Sequence, residues 1–178
     1  MPNMPILTMP VIGRKTHIRM FLEKDISNEY LAWLNDQLTM RYSRQSEQLH
    51  SRQSALSYLA SFDNTSNLFL AIDNIETDKS IGTMTVYIEK HHGTADIGIL
   101  IGERNLWGQG FGFDAWSTIM SHLSQSTKIR KITGGAVSSN TGMIQVMERA
   151  GMTLEATRNA QRVIDGQLVD EMLYAKFV

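Results

Sequence analysis

The apolar positions of the chain alternate between a period of two and a period near 3.6, and each switch marks a new element. "HIRMFL" (17–22) alternates and reads as a strand. "DISNEYLAWLND" (25–36) puts Ile26, Tyr30, Leu31, Trp33 and Leu34 at helical spacing, with Asp25 or Ser27 available as a cap. A polar stretch leads to a second helix, "SRQSALSYLASF" (51–62). Strands are predicted at 68–73, 80–89 and 94–102, the first two joined by a hairpin at "ETDK". A third helix runs from about Phe111 to Leu123, burying Gly112, Ala115, Trp116, Ile119, Met120 and Leu123. A strand at 129–137 precedes a fourth helix at 140–150, capped by Asn140 and ended by Gly151. Two last strands, near 153–163 and 168–177, flank "DGQ", and Asp-Gly is the favoured pair for a tight hairpin. The first dozen residues hold all three prolines and are expected to be an extended lead-in.

The order β-α-α-β-β-β-α-β-α-β-β predicts an α/β chain of mixed α+β type, with parallel crossovers only in its second half. At 178 residues, without linkers or repeats, one domain over 1–178 is expected. The formal net charge of −1 gives no basic face for nucleic acid or anionic lipid, so neither is expected as a partner. Cysteine is absent, which removes disulfides, thiolate zinc sites and a cysteine nucleophile. His91 and His92 are adjacent and point to different faces, so no metal site is expected. No signal-type leader or bilayer-length apolar run is seen, and a soluble, cytoplasmic protein is expected.

The chemistry begins at "NLWGQGFG" (105–112), where a buried strand, "IGILIG", passes into the third helix through alternate glycines. A helix N-terminus has unpaired amides and a partial positive charge, and glycine lets an anion approach the backbone. The Walker pattern fails, because Phe113-Asp114 follows Gly112 where Lys-Ser/Thr is needed. The dinucleotide fingerprint fails at Phe113, where its third glycine belongs. Gly110 and Gly112 instead resemble the (Gln/Arg)-x-x-Gly-x-(Gly/Ala) loop of GNAT-type N-acetyltransferases, with Trp107 in place of Gln or Arg. The later stretch "GGAVSSNTGMIQVMERAGM" resembles the family's strand, Asn-capped helix and Arg-x-Gly ending. The "WGxGxG" form is similar to the branch of ribosomal-protein and amino-sugar N-acetyltransferases, and the likeness spans roughly 17–178.

The resemblance implies a GNAT-like fold: a central mixed, twisted sheet of six to seven strands, about four helices and a splayed parallel pair. It implies acetyl-CoA as cosubstrate, its pyrophosphate on Trp107, Gly108, Gln109, Gly110, Phe111 and Gly112. The pantetheine arm would pair with backbone groups of Ile99, Leu100 and Ile101 and pass Asn140 and Met143. Asn140 is also an ordinary helix cap, and the roles coexist. Gly98, Gly134 and Gly135 then mark bulges or the close approach of that arm. Asp96, on the face of Gly98 and Leu100, is the candidate base, and the Leu100 amide the expected oxyanion donor. Many relatives carry an acidic tyrosine where this chain has Met147, and a serine where it has Met143; Tyr174 is the substitute acid considered.

For the acceptor, "YLxWLND…xxRYS" resembles enzymes acting on amino sugars, including nucleotide-linked ones, so a small-molecule amine is expected. Asn35, Arg41, Tyr42, Ser43 and Arg44 are its candidate contacts, as phosphate or hydroxyl binders, although each alone reads as a solvated loop residue. A protein N-terminus as acceptor, and a catalytically silent acetyl-CoA sensor, both stay open. Monomer and homodimer are equally compatible.

Overall fold

The computed structural model describes residues 8–126 and 128–178. Part of the expected lead-in, residues 1–7, lies outside them. The elements follow the order β1 (Val11–Ile12), β2 (Thr16–Met20), α1 (Asn28–Asn35), α2 (Arg52–Ala60), β3 (Leu68–Asn74), β4 (Ser80–Glu89) and β5 (Thr94–Ile101). Then come α3 (Phe111–Ser124), β6 (Lys131–Val137), α4 (Thr141–Arg149), β7 (Thr153–Ile164) and β8 (Gln167–Phe177). They form one eight-stranded sheet in the order β1-β2-β3-β4-β5-β6-β8-β7. Only β5 and β6 pair in parallel; every other neighbour is antiparallel. The strand beyond the expected six to seven is β1, two residues of the lead-in that pair with Ile18 and His17.

Local chemistry sets the boundaries. Ser27 caps α1 by accepting from the Tyr30 amide. Asp25 is unavailable for that cap because its carboxylate takes both the Arg19 guanidinium and the Leu22 amide. Ser51 caps α2 in the same way through the Ser54 amide. Gly151 ends α4 at φ 79°, and Asp165-Gly166 turns the last hairpin with φ of 51° and 76°.

Two cores lie on opposite faces of the sheet. Beneath α3 and α4, Ile97, Ile132, Trp116, Ile119, Leu123 and Met147 belong to the larger one. Beneath α1 and α2, Phe21, Ile26, Tyr30, Phe69 and Ala71 form the smaller, with Trp33 and Tyr58 packed against it. Each strand in the middle of the sheet therefore sends alternate side chains to two different layers. That alternation decides which residues of β5 meet which ligand.

Candidate active site

β5 and β6 share three paired rungs, from Thr94–Lys131 to Asp96–Thr133. Beyond these, β5 runs to Ile101 paired only with β4, and β6 to Val137 paired only with β8. The two strands part after Asp96 and Thr133, and a wedge opens between them. Gly134 is the first residue of β6 in the wedge. A Cβ there would lie 2.8 Å from Cη2 of the buried Trp116, so the glycine makes room for the α3 indole beneath.

Backbone direction along β5 corrects one expectation. The Gly102 amide donates to Ile81 O at 2.9 Å, and the Leu100 carbonyl lies against Gly82, so both residues address β4. Polar backbone groups alternate in direction along a strand, which turns Ile99 and Ile101 towards the wedge. Trp107 Nε1 agrees, donating to the outward Ile101 O at 2.8 Å. The amide facing the wedge is that of Ile99, not of Leu100.

The glycine loop closes the wide end of the wedge. Gly108 and Gly110 have φ of 74° and 87°, and a Cβ on either would meet nothing within 4 Å. Their glycines thus serve a left-handed backbone whose outer side is open. Asp114 makes the first in-helix bond of α3, to Gly110 O at 2.9 Å. The amides of Phe111, Gly112 and Phe113 before it are the helix's unshared donors. Positive helix end, convergent N–H groups and open approach fit a diphosphate such as that of acetyl-CoA.

Several contacts hold the loop in this shape. Gln109 Nε2 donates to Asn105 O at 2.6 Å. Lys15 Nζ donates to Gln109 O at 3.0 Å and lies 5.0 Å from the centre of the Phe111 ring. Lys15 is placed by Asp114, whose carboxylate accepts the amides of Arg14, Lys15 and Thr16 at 3.0 Å each and the Thr16 hydroxyl at 2.7 Å. Nothing in the sequence near either residue pointed to this pairing.

At the narrow end, Asp96 is exposed to solvent, at the last rung that β5 and β6 share. Burial pushes its pKa above the ordinary 3.8, against the opposing pull of the Thr133 hydrogen bond and the Arg44 charge. Thr133 Oγ1 donates to Asp96 Oδ2 at 2.6 Å. Tyr87 is directly opposite Asp96 on β4, and its hydroxyl meets that of Tyr58 from α2 at 3.1 Å. Burial, and then this contact, holds the Tyr58 phenol well above its usual pKa. Thr133 and Tyr87 were missed because they meet Asp96 only through strand pairing, and Tyr58 because it reaches Tyr87 from a helix on another part of the chain.

Tyr174 lies opposite Gly134, on the α4 side of the sheet rather than the Asp96 side. Its hydroxyl donates to Glu148 Oε1 at 3.0 Å, and burial followed by Glu148 raises its pKa. Met147, in the tyrosine position of many relatives, is fully buried. Asn140 caps α4 by accepting the Met143 amide at 3.2 Å, and the Met143 side chain packs on the larger core.

The expected acceptor segment is engaged by other parts of the chain. Asn35 bonds Leu31 O and both backbone groups of His50, stitching α1 to the approach of α2. Arg41 pairs with Asp165 at 2.5 Å and lies over the Tyr42 ring. The Tyr42 hydroxyl donates to Ser139 O at 3.2 Å, and Ser43 Oγ accepts the Gln45 amide. Arg44 pairs with the buried Glu171 at 2.6 Å. Each arginine already has a carboxylate partner within the chain. Among the described residues no His/Cys/Asp/Glu group suited to a metal ion occurs, and no helix is long and apolar enough to cross a membrane.

Comparison with known proteins agrees with this geometry. The chain is similar to the ribosomal L7/L12 alpha-N-protein acetyltransferase RimL in complex with coenzyme A, at 17% identity over 94% of this chain and 96% of that one, TM-score 0.83. It is similar to the microcin C7 self-immunity acetyltransferase MccE in complex with acetyl-CoA and AMP, at 19% identity, 97% and 98% coverage, TM-score 0.81. The spermidine N-acetyltransferase of Vibrio cholerae in complex with CoA and spermine gives 17% identity, 92% and 95% coverage, TM-score 0.77. No curated protein sequence matches the chain. At these identities the structures establish the fold, while the acetyltransferase (GNAT) domain matches residues 16–153 by sequence. That match covers the wedge, the glycine loop and the Asn140 helix, and the chain belongs to the GNAT acetyltransferase family.

Proposed function

We propose that the protein transfers acetyl from acetyl-CoA to a primary amine on a small molecule, with an amino sugar as the leading acceptor class. The observation that carries this reading is Asp96, a carboxylate of raised pKa at the exact rung where β5 and β6 part. The glycine loop and the unshared amides of Phe111, Gly112 and Phe113 hold the diphosphate, and Lys15 adds positive charge behind them. Acetyl-CoA supplies the activated acyl group. Asp96 takes a proton from the acceptor ammonium, freeing the lone pair that forms the C–N bond. The Ile99 amide donates to the carbonyl oxygen as charge gathers there, the C–S bond breaks with its electron pair on sulfur, and the nitrogen gives up its second proton to water to leave a neutral amide.

Tyr174 is the proton donor this reading assigns to the departing sulfur. Its raised pKa keeps the phenol protonated, and it stands beside Gly134 from β8, on the face of the sheet away from Asp96. Base and acid then stand on opposite faces of the sheet. Hydroxyls of Thr133, Tyr58 and Tyr87 around Asp96 support a hydroxyl-bearing acceptor such as an amino sugar. A protein N-terminus is the competing acceptor, as three similar structures carry that activity in their names.

The test is an acceptor screen with acetyl-CoA, read by release of free thiol. Amino sugars, nucleotide-linked amino sugars, N-terminal peptides and polyamines form the panel. Turnover of an amino sugar with the highest kcat/KM is the expected result. A peptide that outcompetes every sugar moves the protein to the N-terminal branch, and tight donor binding without turnover on any amine makes it a sensor.

A further inference from the structure

Arginines from two distant segments gather over one carboxylate on the acceptor side of the sheet. Glu171 of β8 is 5% exposed. Arg44 Nη2 donates to its Oε1 at 2.6 Å, and Arg158 Nη1 to its Oε2 at 3.4 Å. Arg162 Nη2 donates at 3.3 Å to the carbonyl of Ser43, the neighbour of Arg44. Arg158 is opposite Glu171 in the last hairpin, and Arg162 is opposite Val169, two residues along the same face of β8. Thr133 pairs with both Asp96 and Ala175, and Ala175 shares a face with Glu171 by alternation. The cluster and the candidate base therefore look out of the same face.

The charge does not balance. A buried carboxylate needs a cation, and one guanidinium meets that need. Here Arg44 and Arg158 both meet Glu171, Arg162 stands beside them on the Ser43 carbonyl, and Asp96 is the other carboxylate that feels the Arg44 charge, so one guanidinium is in excess. The Arg44 and Arg158 side chains are 72% and 56% exposed, and that of Glu171 is 7%. The carboxylate lies underneath and orients the guanidiniums, while donors of the planar forks remain directed outward. A fixed carboxylate beneath exposed arginines is a support for a second oxyanion, since each fork has more N–H groups than Glu171 uses.

We infer that Arg44, Arg158 and Arg162 hold an oxyanion carried by the acceptor itself, a phosphate or a carboxylate, while the acceptor's amine reaches Asp96. The inference rests on the acetyl-transfer reading above and narrows its acceptor to amines that bear a negative group. Arg41 has no part in it, because its guanidinium is paired with Asp165 at the hairpin turn.

Steady-state kinetics with matched amines test this: glucosamine against glucosamine 6-phosphate, and alanine amide against alanine. The expected result is a preference for one or both anionic members of at least about tenfold in kcat/KM, the worth of one charged hydrogen bond. It should come through KM and shrink as sodium chloride is raised. The pair that shows the preference identifies the oxyanion as phosphate or carboxylate. Arg158→Gln and Arg162→Gln should each reduce the preference, with acetyl-CoA affinity unchanged. Equal kcat/KM within both pairs, or a preference that survives both substitutions, overturns the inference. If no amine turns over, calorimetry of the same four compounds decides. Equal affinities within both pairs then overturn it. A preference lost in Arg158→Gln upholds the oxyanion site, and the transfer reading alone fails.

Discussion

Thr133 donates its hydroxyl to the Asp96 carboxylate at 2.6 Å across the last rung that the two parallel strands share. The bond fixes one carboxylate oxygen and favours the charged form. Burial acts against it and is the larger effect, so the pKa stands above the ordinary value. A carboxylate lifted in this way is a stronger proton acceptor than a free one.

Asp96→Asn should lower kcat by roughly a hundredfold, the lower end of what a general base contributes, and leave donor affinity alone. The rising acid limb of kcat/KM should lie above the usual carboxylate range, because only the charged form accepts a proton. Thr133→Val removes a bond that favours the charged form, and the limb should move to higher pH. A limb that stays put in Thr133→Val would separate that hydroxyl from the titrating group.

The same shift has a signature in stability. A carboxyl whose folded pKa is raised contributes stability that is full below its unfolded pKa, ordinarily 3.8, and is lost as pH rises through the folded value. At neutral pH the native state therefore carries a charged Asp96 at a cost. Asp96→Asn should melt higher than the parent at pH 7, and the advantage should vanish below the ordinary carboxylate pKa. Equal melting temperatures at both pH values would mean the carboxylate is fully solvated.

The two loop glycines should respond differently to a side chain. Gly112 is helical, and a Cβ there meets only Ile101 Cγ1, at an ordinary 3.7 Å. Gly112→Val should keep the fold and weaken CoA at least tenfold, about 1.4 kcal/mol, if the diphosphate lies against that backbone. Gly110 sits at φ 87°, so Gly110→Val adds roughly 1–2 kcal/mol of backbone strain besides. Calorimetry with thermal melts separates the effects: unchanged CoA affinity in Gly112→Val removes the diphosphate from the loop.

Lys15 and Asp114 offer a second handle on the donor. Lys15→Met removes the cation from the Gln109 carbonyl and should raise the CoA Kd several-fold at low salt, with the gap closing at high salt. Asp114→Ala unpins three amides and the buried Thr16 hydroxyl, so it should lower the melting temperature as well. Acetyl-pantetheine lacks the diphosphate and should bind both variants as it binds the parent. A loss of affinity for that shorter donor would point to general loosening instead.

What the sequence revealed follows from how local each signal is. The cap at Asn140, one of the two offered for α1 (Ser27), the turn at Asp165-Gly166 and the glycine loop are set by neighbouring residues, and they are found where the pattern puts them. Side-chain alternation correctly put Asp96, Gly98 and Leu100 on one face, since each is opposite a β4 residue of matching parity. It says nothing about which backbone amides point to which neighbour, and that is why Leu100 stood in for Ile99. The arginine cluster was invisible for a topological reason. Arg158 and Glu171 are partners in the last hairpin, but Arg44 comes to Glu171 from 127 residues away, and nothing local to either segment announces that meeting.

Arg41 and Arg44 are three residues apart in one loop, yet they should behave as opposites. Arg41 meets Asp165, and both side chains are well exposed, so solvent screens the pair. Arg41→Ala should leave the melting temperature and the acceptor KM nearly unchanged. Arg44 meets Glu171, which is buried and retains only the longer Arg158 contact once Arg44 is gone. Leaving a buried carboxylate short of partners costs about 1–3 kcal/mol, more for a charge, so Arg44→Ala should melt lower. Glu171→Gln in the same background removes the stranded charge and should recover much of that loss, while the raised acceptor KM of Arg44→Ala should persist. Recovery of stability and KM together would make Arg44 a prop for the fold, with no hand in holding the acceptor.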